Sequence, residues 1–293
     1  PLLYWYSRVP VFYAEVAADG REQYLGLPPA QSHAVEFVAR EAEALLLTLP
    51  GIRRSGAGLR VEGRYVDALR NYPPTGVPET DLLLTLRGAD EALALGSPAS
   101  WSGLYAFSHA LPDLKPGVWR VEAHVRRTGA LLARSNPVLI DPRAQEELYW
   151  GEIHCHSRMS DGIGDYDSLY GFARHAACLD FACGCDHACY FSDNQWQWMQ
   201  SVTNARNEPG RFVTLVGYEW AGKQVHRNLY TARDSLRLFR GMYGPTSDLA
   251  TVYGALREDD QVVSGCHAPM AHGIDWSRFD PQIERYIEVY SMW

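Results

Sequence analysis

The sequence predicts an α/β chain in two parts, an all-β sandwich-like module followed by a unit in which strands and helices alternate. Three observations predict this. Up to residue 147 the apolar pattern has the two-residue period of half-buried strands, punctuated by turn residues. From residue 148 the pattern switches to short apolar runs separated by capped amphipathic segments, which points to a parallel α/β sheet or barrel. Composition changes at the same point, since all six cysteines and seven of the ten histidines lie beyond residue 150.

In the first part, "LRVEGRYV" (59–66) and "GVWRVEAHVRRTGALLA" (117–133) alternate apolar and polar residues, and "RTGAL" within the second reads as a hairpin turn. "DLLLTL" (81–86) is a short buried-type strand and "SNPVLID" (135–141) a last strand before a polar linker at 142–147. The stretch 33–46 fits a helix or an extended segment equally. The aromatics here, Trp101 and Trp119 among them, read as core rather than as platforms for a sugar.

In the second part, "LYWGEIH" (148–154), "DFACGC" (180–185), "RFVTLVGYE" (211–219), "QVVSGC" (261–266) and "RYIEVYS" (285–291) read as strands. Between them, "DYDSLYGFARHAACL" (165–179), "DNQWQWMQSVTNARNE" (193–208) and "TSDLATVYGALRE" (246–258) read as helices opened by aspartate or serine caps.

The bulk numbers exclude some functions. A net charge of −8 is the wrong sign for gripping a phosphate backbone, so no nucleic-acid partner is expected. No apolar run is long enough for a membrane span. The clustered cysteines read as reduced thiols of a cytoplasmic protein, with periplasmic or secreted export left open because the chain starts at Pro1 without a methionine. That start, and an end inside an apparent strand, suggest a piece of a longer gene product.

Most chemistry-bearing residues fall at predicted strand ends. His154 and His156 close the first strand of the second part, Asp186 and His187 follow the second, Glu219 ends the third, and His267 follows the "QVVSGC" strand. His226 lies in "VHRNLY", another short extended run. Residues i and i+2 of a strand point to one face, about 6–7 Å apart, so His154 and His156 can share an ion. Asp161, after the "SDG" turn, offers a hard oxygen, and Glu219 has two oxygens with which to bridge ions. Each feature alone is more often a satisfied polar group, a turn or a helix cap. Together and in order they point to a divalent metal site. The "CGCDHAC" run lacks the second spaced cysteine pair of a zinc ribbon, and Cys266 and His267, being adjacent, face opposite sides, against a cysteine hydrolase.

The ordered segments "HCHSRMSDG", "LDFACGCDHA", "VGYEW", "VHRNLY" and "CHAP" resemble the PHP (polymerase and histidinol phosphatase) superfamily of metal-dependent hydrolases. More narrowly they resemble a bacterial PHP-like family described only as a domain of unknown function. The resemblance implies a distorted (βα)7-type, TIM-like barrel over 148–293, preceded by the β module of 1–147. It implies two or three divalent ions (zinc, manganese or iron) on His154, His156, Asp161, His187, Glu219, His226 and His267. The superfamily's closing Asp-x-His is absent between Gly273 and Trp293, so the barrel is expected to be truncated at its C-terminus.

The function expected is a metal-dependent hydrolase acting on a small anionic, phosphorylated substrate, with metal-bound hydroxide as nucleophile. Glu219 and Asp161 are the expected catalytic carboxylates, and Arg158 and Arg227 the expected anion anchors. Two alternatives stand beside it: an amide or sulfate-ester hydrolase on the same site, and a non-catalytic metal-containing binding protein. The oligomeric state is not legible in the sequence.

Overall fold

The fold was read from a computed structural model of the chain. It describes residues 40–54, 56, 58–68, 78–98, 101, 105–222, 226–242, 246–257, 261–267 and 276–289, together with four short backbone strands nearer the N-terminus. Those four are β1 (Tyr4–Trp5), β2 (Ala14–Val16), β3 (Glu22–Tyr24) and β4 (Val35–Glu36), with β1 paired to β4 and β2 to β3.

Two sheets enclose the first core. One has the order β10 (Ala106–Ala110), β7 (Arg60–Val66), β5 (Ala44–Thr48), all antiparallel. The other runs β6 (Ile52–Arg53), β13 (Val138–Ile140), β11 (Gly117–Val125), β8 (Leu82–Arg87), β9 (Ala92–Gly96), with β12 (Leu131–Arg134) also on β11. Alternate residues turn inward, as a two-residue period requires. Leu45, Leu47, Val61 and Phe107 from the first sheet pack with Leu82, Leu84, Leu86, Trp119 and Val121 from the second in one cluster. Within the ambiguous 33–46 stretch the regular structure described is strand, at Val35–Glu36 and from Ala44 onward. Trp119 is a core residue whose indole N–H donates to the Lys115 carbonyl, and Trp101 stacks on Tyr65 with ring centroids 5.6 Å apart.

Beyond residue 147 the predicted strands and helices form with the expected types. The closed barrel does not. A three-stranded parallel sheet, β14 (Gly151–Cys155), β15 (Phe181–Gly184), β16 (Val213–Thr214), is separate from a four-stranded sheet of order β17 (Val216–Ala221), β18 (His226–Thr231), β19 (Val262–Cys266), β20 (Glu284–Ile287). In the second sheet β17, β18 and β19 are successively antiparallel, and only β19 and β20 run parallel. The described residues contain three α-helices, α1 (Tyr166–Gly171), α2 (Asp193–Arg206) and α3 (Leu249–Leu256). A parallel crossover needs a dozen or more residues, and the link from β17 to β18 is far shorter, so the chain turns back as a hairpin. The (βα)7, TIM-like expectation is therefore corrected to two open sheets in a β-rich fold.

The helices are capped as read. Asp165 accepts from the Ser168 backbone N–H, Ser192 and Gln195 form a reciprocal capping box, and Asp248 accepts from Thr251 N–H. A π-helical turn, Phe172–Ala176, continues α1. A second core, with Tyr166, Tyr170, Trp196, Met199, Tyr218, Trp220 and Val252, lies between these helices and the two sheets. A cleft of about 680 Å³ separates the two cores, lined by Arg53, Arg60 and Trp101 on one side and Trp150, Arg174 and Arg211 on the other. Of the histidines only His175 lines it, and none of the seven candidate metal residues does.

Candidate metal centre

Among the described residues the two sheets of the second half are joined by Leu215, between β16 and β17, whose N–H donates to the Ala182 carbonyl at 3.0 Å, and by a parallel bridge between His187 and Glu219. Glu219 N–H donates to the Asp186 carbonyl and Ala188 N–H to the Glu219 carbonyl, at 3.0 and 2.9 Å. This splice carries the residues following β15 onto β17. It places the ends of β14, β15, β17, β18 and β19 around one carboxylate.

That carboxylate, Glu219, is fully buried. Its Oε2 faces His156 Nε2 at 3.0 Å, His154 Nε2 at 3.2 Å and His187 Nδ1 at 3.3 Å. Its Oε1 faces His226 Nδ1 at 2.5 Å and His267 Nε2 at 3.4 Å. Burial alone would push the Glu219 carboxyl up; hydrogen bonds from His154, His156 and His226 hold it well below the usual carboxylate range. His154 shows the reciprocal effect. Burial disfavours its charged form, but hydrogen bonds to Glu219 and Glu288 outweigh this and raise it to about 9. Burial lowers His187 and His267.

Asp161 extends the cluster outward. Its Oδ1 lies 2.5 Å from His156 Nδ1 and its Oδ2 3.5 Å from His187 Nε2. The turn that delivers it is fixed from two sides. Asp186, buried, accepts from Ser157 N–H, Ser157 Oγ and Ser160 Oγ at 2.8, 2.8 and 2.6 Å. At Gly162 a Cβ would stand 2.1 Å from the His156 carbonyl oxygen, so only glycine fits the "SDG" turn.

The donor set suits a divalent cation. His154 Nε2, His156 Nε2 and Glu219 Oε2 lie 3.0–3.2 Å from one another. With His156 Nδ1 against Asp161, the inward atoms are acceptors that face each other unless a proton or a cation lies between them. Ligands on one ion with bonds of about 2.0–2.1 Å stand about 3.0–3.4 Å apart, which these spacings match. His187 Nδ1 is buried and has no hydrogen-bond partner, so its lone pair or proton is available inside the cluster. Four overlapping triads bring their donor atoms within 4.8 Å of one another: His154–His156–Glu219, His187–Glu219–His226, His156–Asp161–His187 and His154–His267–Glu288.

All seven residues expected to hold metal are thus brought together. Arg158 and Arg227, expected to anchor an anion, are not. Arg158 is exposed and lies 3.8 Å from Asp165. Arg227 is buried on the other face of β18, paired with Glu284 at 3.1 Å. Glu288 was missed. It follows β20 within "IEVYS", where its Oε2 takes His154 Nδ1 at 2.7 Å and His267 Nδ1 at 2.9 Å. Its position in the last strand-like run was legible, but its partners depend on β20 pairing with β19. His272, in "MAHG", which the sequence offers as a further ligand or a surface-loop residue, lies outside the described residues.

The cysteines take no part. All six are free. Cys183 and Cys185 are buried against Tyr230. Cys266 donates to Glu284 at 2.7 Å, and burial, with that bond, pushes its thiol up to about 12. Such a thiol is no nucleophile at neutral pH.

Residues 172–238 match a family described as a protein of unknown function, DUF3604. The chain is 24% identical over 193 residues to an uncharacterised protein of Chlamydia pneumoniae, and 20% identical over 201 residues to one of Chlamydia trachomatis. Each alignment covers 62% of this chain and 31% of the relative, so the chain spans about a third of the length of these relatives. Among solved structures, a superoxide reductase (neelaredoxin) from Ignicoccus hospitalis aligns over 34% of this chain and 82% of its own, at 13% identity and a TM-score of 0.24, too low to inform the fold. The family matched is of unknown function and the relatives are uncharacterised. With the open, β-rich sheets, this overturns the resemblance to the PHP superfamily.

Proposed function

We propose that the chain is a metal-dependent hydrolase whose centre is built on Glu219, acting on a phosphoester. The observation that carries this reading is the buried Glu219 carboxylate with imidazole nitrogens against both oxygens, three at Oε2 and two at Oε1. One carboxylate flanked in this way suits two ions, with His154, His156 and His187 serving one oxygen and His226 and His267 the other. Zinc, manganese or iron fits such nitrogen and oxygen donors. Ions there supply Lewis acidity and activate water at neutral pH.

The chain's own residues do the remaining work. Glu219 holds its negative charge without protonation, because the histidines keep its carboxyl low. Asp161 is exposed at the rim and hydrogen-bonded to His156, where it can take or relay a proton. Charge supports an anionic substrate. With two divalent ions bound and the five imidazoles serving as neutral donors, the three carboxylates would leave the centre at about +1. That sign favours a phosphoester over a neutral amide, while a sulfate ester remains a competitor in the assay.

The rival reading is a metal-free ion-paired network, supported by the raised His154. The two part on one experiment: metal content by plasma mass spectrometry, then turnover of phosphomonoesters, phosphodiesters, sulfate esters and amides with added manganese or zinc. The proposal expects bound metal and phosphoester turnover that a chelator abolishes. A chain that takes up no metal, or a loaded chain that turns over none of the phosphoesters, overturns it.

A further inference from the structure

We infer that Glu288 is a positioning residue of this centre: one carboxylate oxygen holds His154 and His267 by their Nδ1 atoms and so aims both Nε2 atoms at Glu219. The inference rests on the reading of the cluster as a metal centre and adds to it a residue outside the seven named from the sequence. Glu288 is itself fixed, because its backbone N–H donates to the Cys266 carbonyl at 3.0 Å, one residue before His267. From there Oε2 reaches His154 Nδ1 at 2.7 Å and His267 Nδ1 at 2.9 Å. The two rings stand edge to face, 4.1 Å apart at 83°.

Direction separates this role from coordination: Glu288 meets both rings at Nδ1, the side away from the Nε2 atoms that face Glu219. The pairs at Glu288 match charge-assisted hydrogen bonds. The opposite nitrogens of the two rings lie at 3.2 and 3.4 Å from Glu219. A carboxylate oxygen has lone pairs for two donors, so both imidazoles can place their proton on Nδ1. Each then presents an Nε2 lone pair to the interior. A carboxylate behind a ligating imidazole orients the ring, fixes its tautomer and raises its basicity, and losing one lowers metal affinity about 10–100-fold.

The test uses the chain with Glu288→Gln and Glu288→Ala, zinc titration, and nitrogen-15 NMR of the histidine side chains. Glu288→Gln is nearly isosteric and guards against a variant that fails to fold. The expected result for Glu288→Ala is zinc affinity about 10–100-fold weaker, an unchanged number of ions at saturation, and loss of the Nδ1–H tautomer of His267 in the metal-free chain. Glu288→Gln should fall between, since its amide oxygen still accepts. Loss of one ion at saturating zinc would make Glu288 a ligand and overturn the inference. Unchanged affinity and tautomer would overturn it as well. The tautomer of His267 reports on Glu288 without metal, so a wild-type chain that binds no zinc would sink the metal-centre reading separately.

Discussion

Glu219 and His154 illustrate how much of this centre is decided residue by residue. A buried carboxylate pressed against five imidazole nitrogens stays ionised, and a buried imidazole between two carboxylates stays charged up to about 9. In the metal-free chain the raised His154 therefore contributes stability that is full below its unfolded value near 6.5 and is lost as pH rises through about 9. Metal must displace that proton. Zinc binding at pH 7 is expected to release about one proton from His154, and apparent affinity to rise between pH 7 and 9. Calorimetry in buffers of different ionisation enthalpy counts the protons, and affinity that is flat across this range would contradict the assignment. Arg227 shows what residue-scale reading could have corrected. His226 faces the centre, so strand alternation sends Arg227 to the opposite face, where Glu284 waits.

At the scale of elements, the loop after β14 and the hairpin β17–β18 do most of the positioning. Asp186 is the anchor of the loop. Asp186→Ala leaves the Ser157 N–H and hydroxyl and the Ser160 hydroxyl without their acceptor. It is expected to cost about 1–3 kcal/mol of stability and to weaken metal binding by releasing Asp161; denaturant unfolding and zinc titration check both. In the hairpin, Arg227→Ala strands Glu284 as a buried charge. A loss of about 3–5 kcal/mol is expected, with turnover per folded molecule retained. A fully stable Arg227→Ala chain with impaired turnover would restore Arg227 to the substrate site. Element types were legible because local period and caps fix them: α2 begins at Asp193 after the Ser192 cap, and β19 spans most of the "QVVSGC" run. How strands pair was not legible from period, although the short link between Ala221 and His226 already excluded a parallel crossover.

For the whole molecule, two cores of different construction share one chain. Two antiparallel-rich sheets close the first, and helices over two open sheets close the second. Among the described residues no helix is long and apolar enough to cross a membrane. The barrel expectation fails because alternation of strand and helix does not by itself fix topology. Sheets are joined by long-range pairing, which a local period does not encode. That the candidate residues cluster was legible in part: they were read at strand ends, and here the bridge between His187 and Glu219 brings those segments together without a closed barrel. Glu288 was not legible as a partner because its role depends on β20 lying parallel to β19, a pairing between segments far apart in sequence.

The most direct test of the central claim is the metal content of the chain after loading with zinc or manganese and removal of excess, compared with Glu219→Gln. The account predicts about two ions per chain for the wild type, and for Glu219→Gln a loss of affinity larger than the about 100-fold expected of an outer hydrogen-bonding partner. A wild-type chain that retains no metal, or a Glu219→Gln chain that retains as much as the wild type, would contradict it.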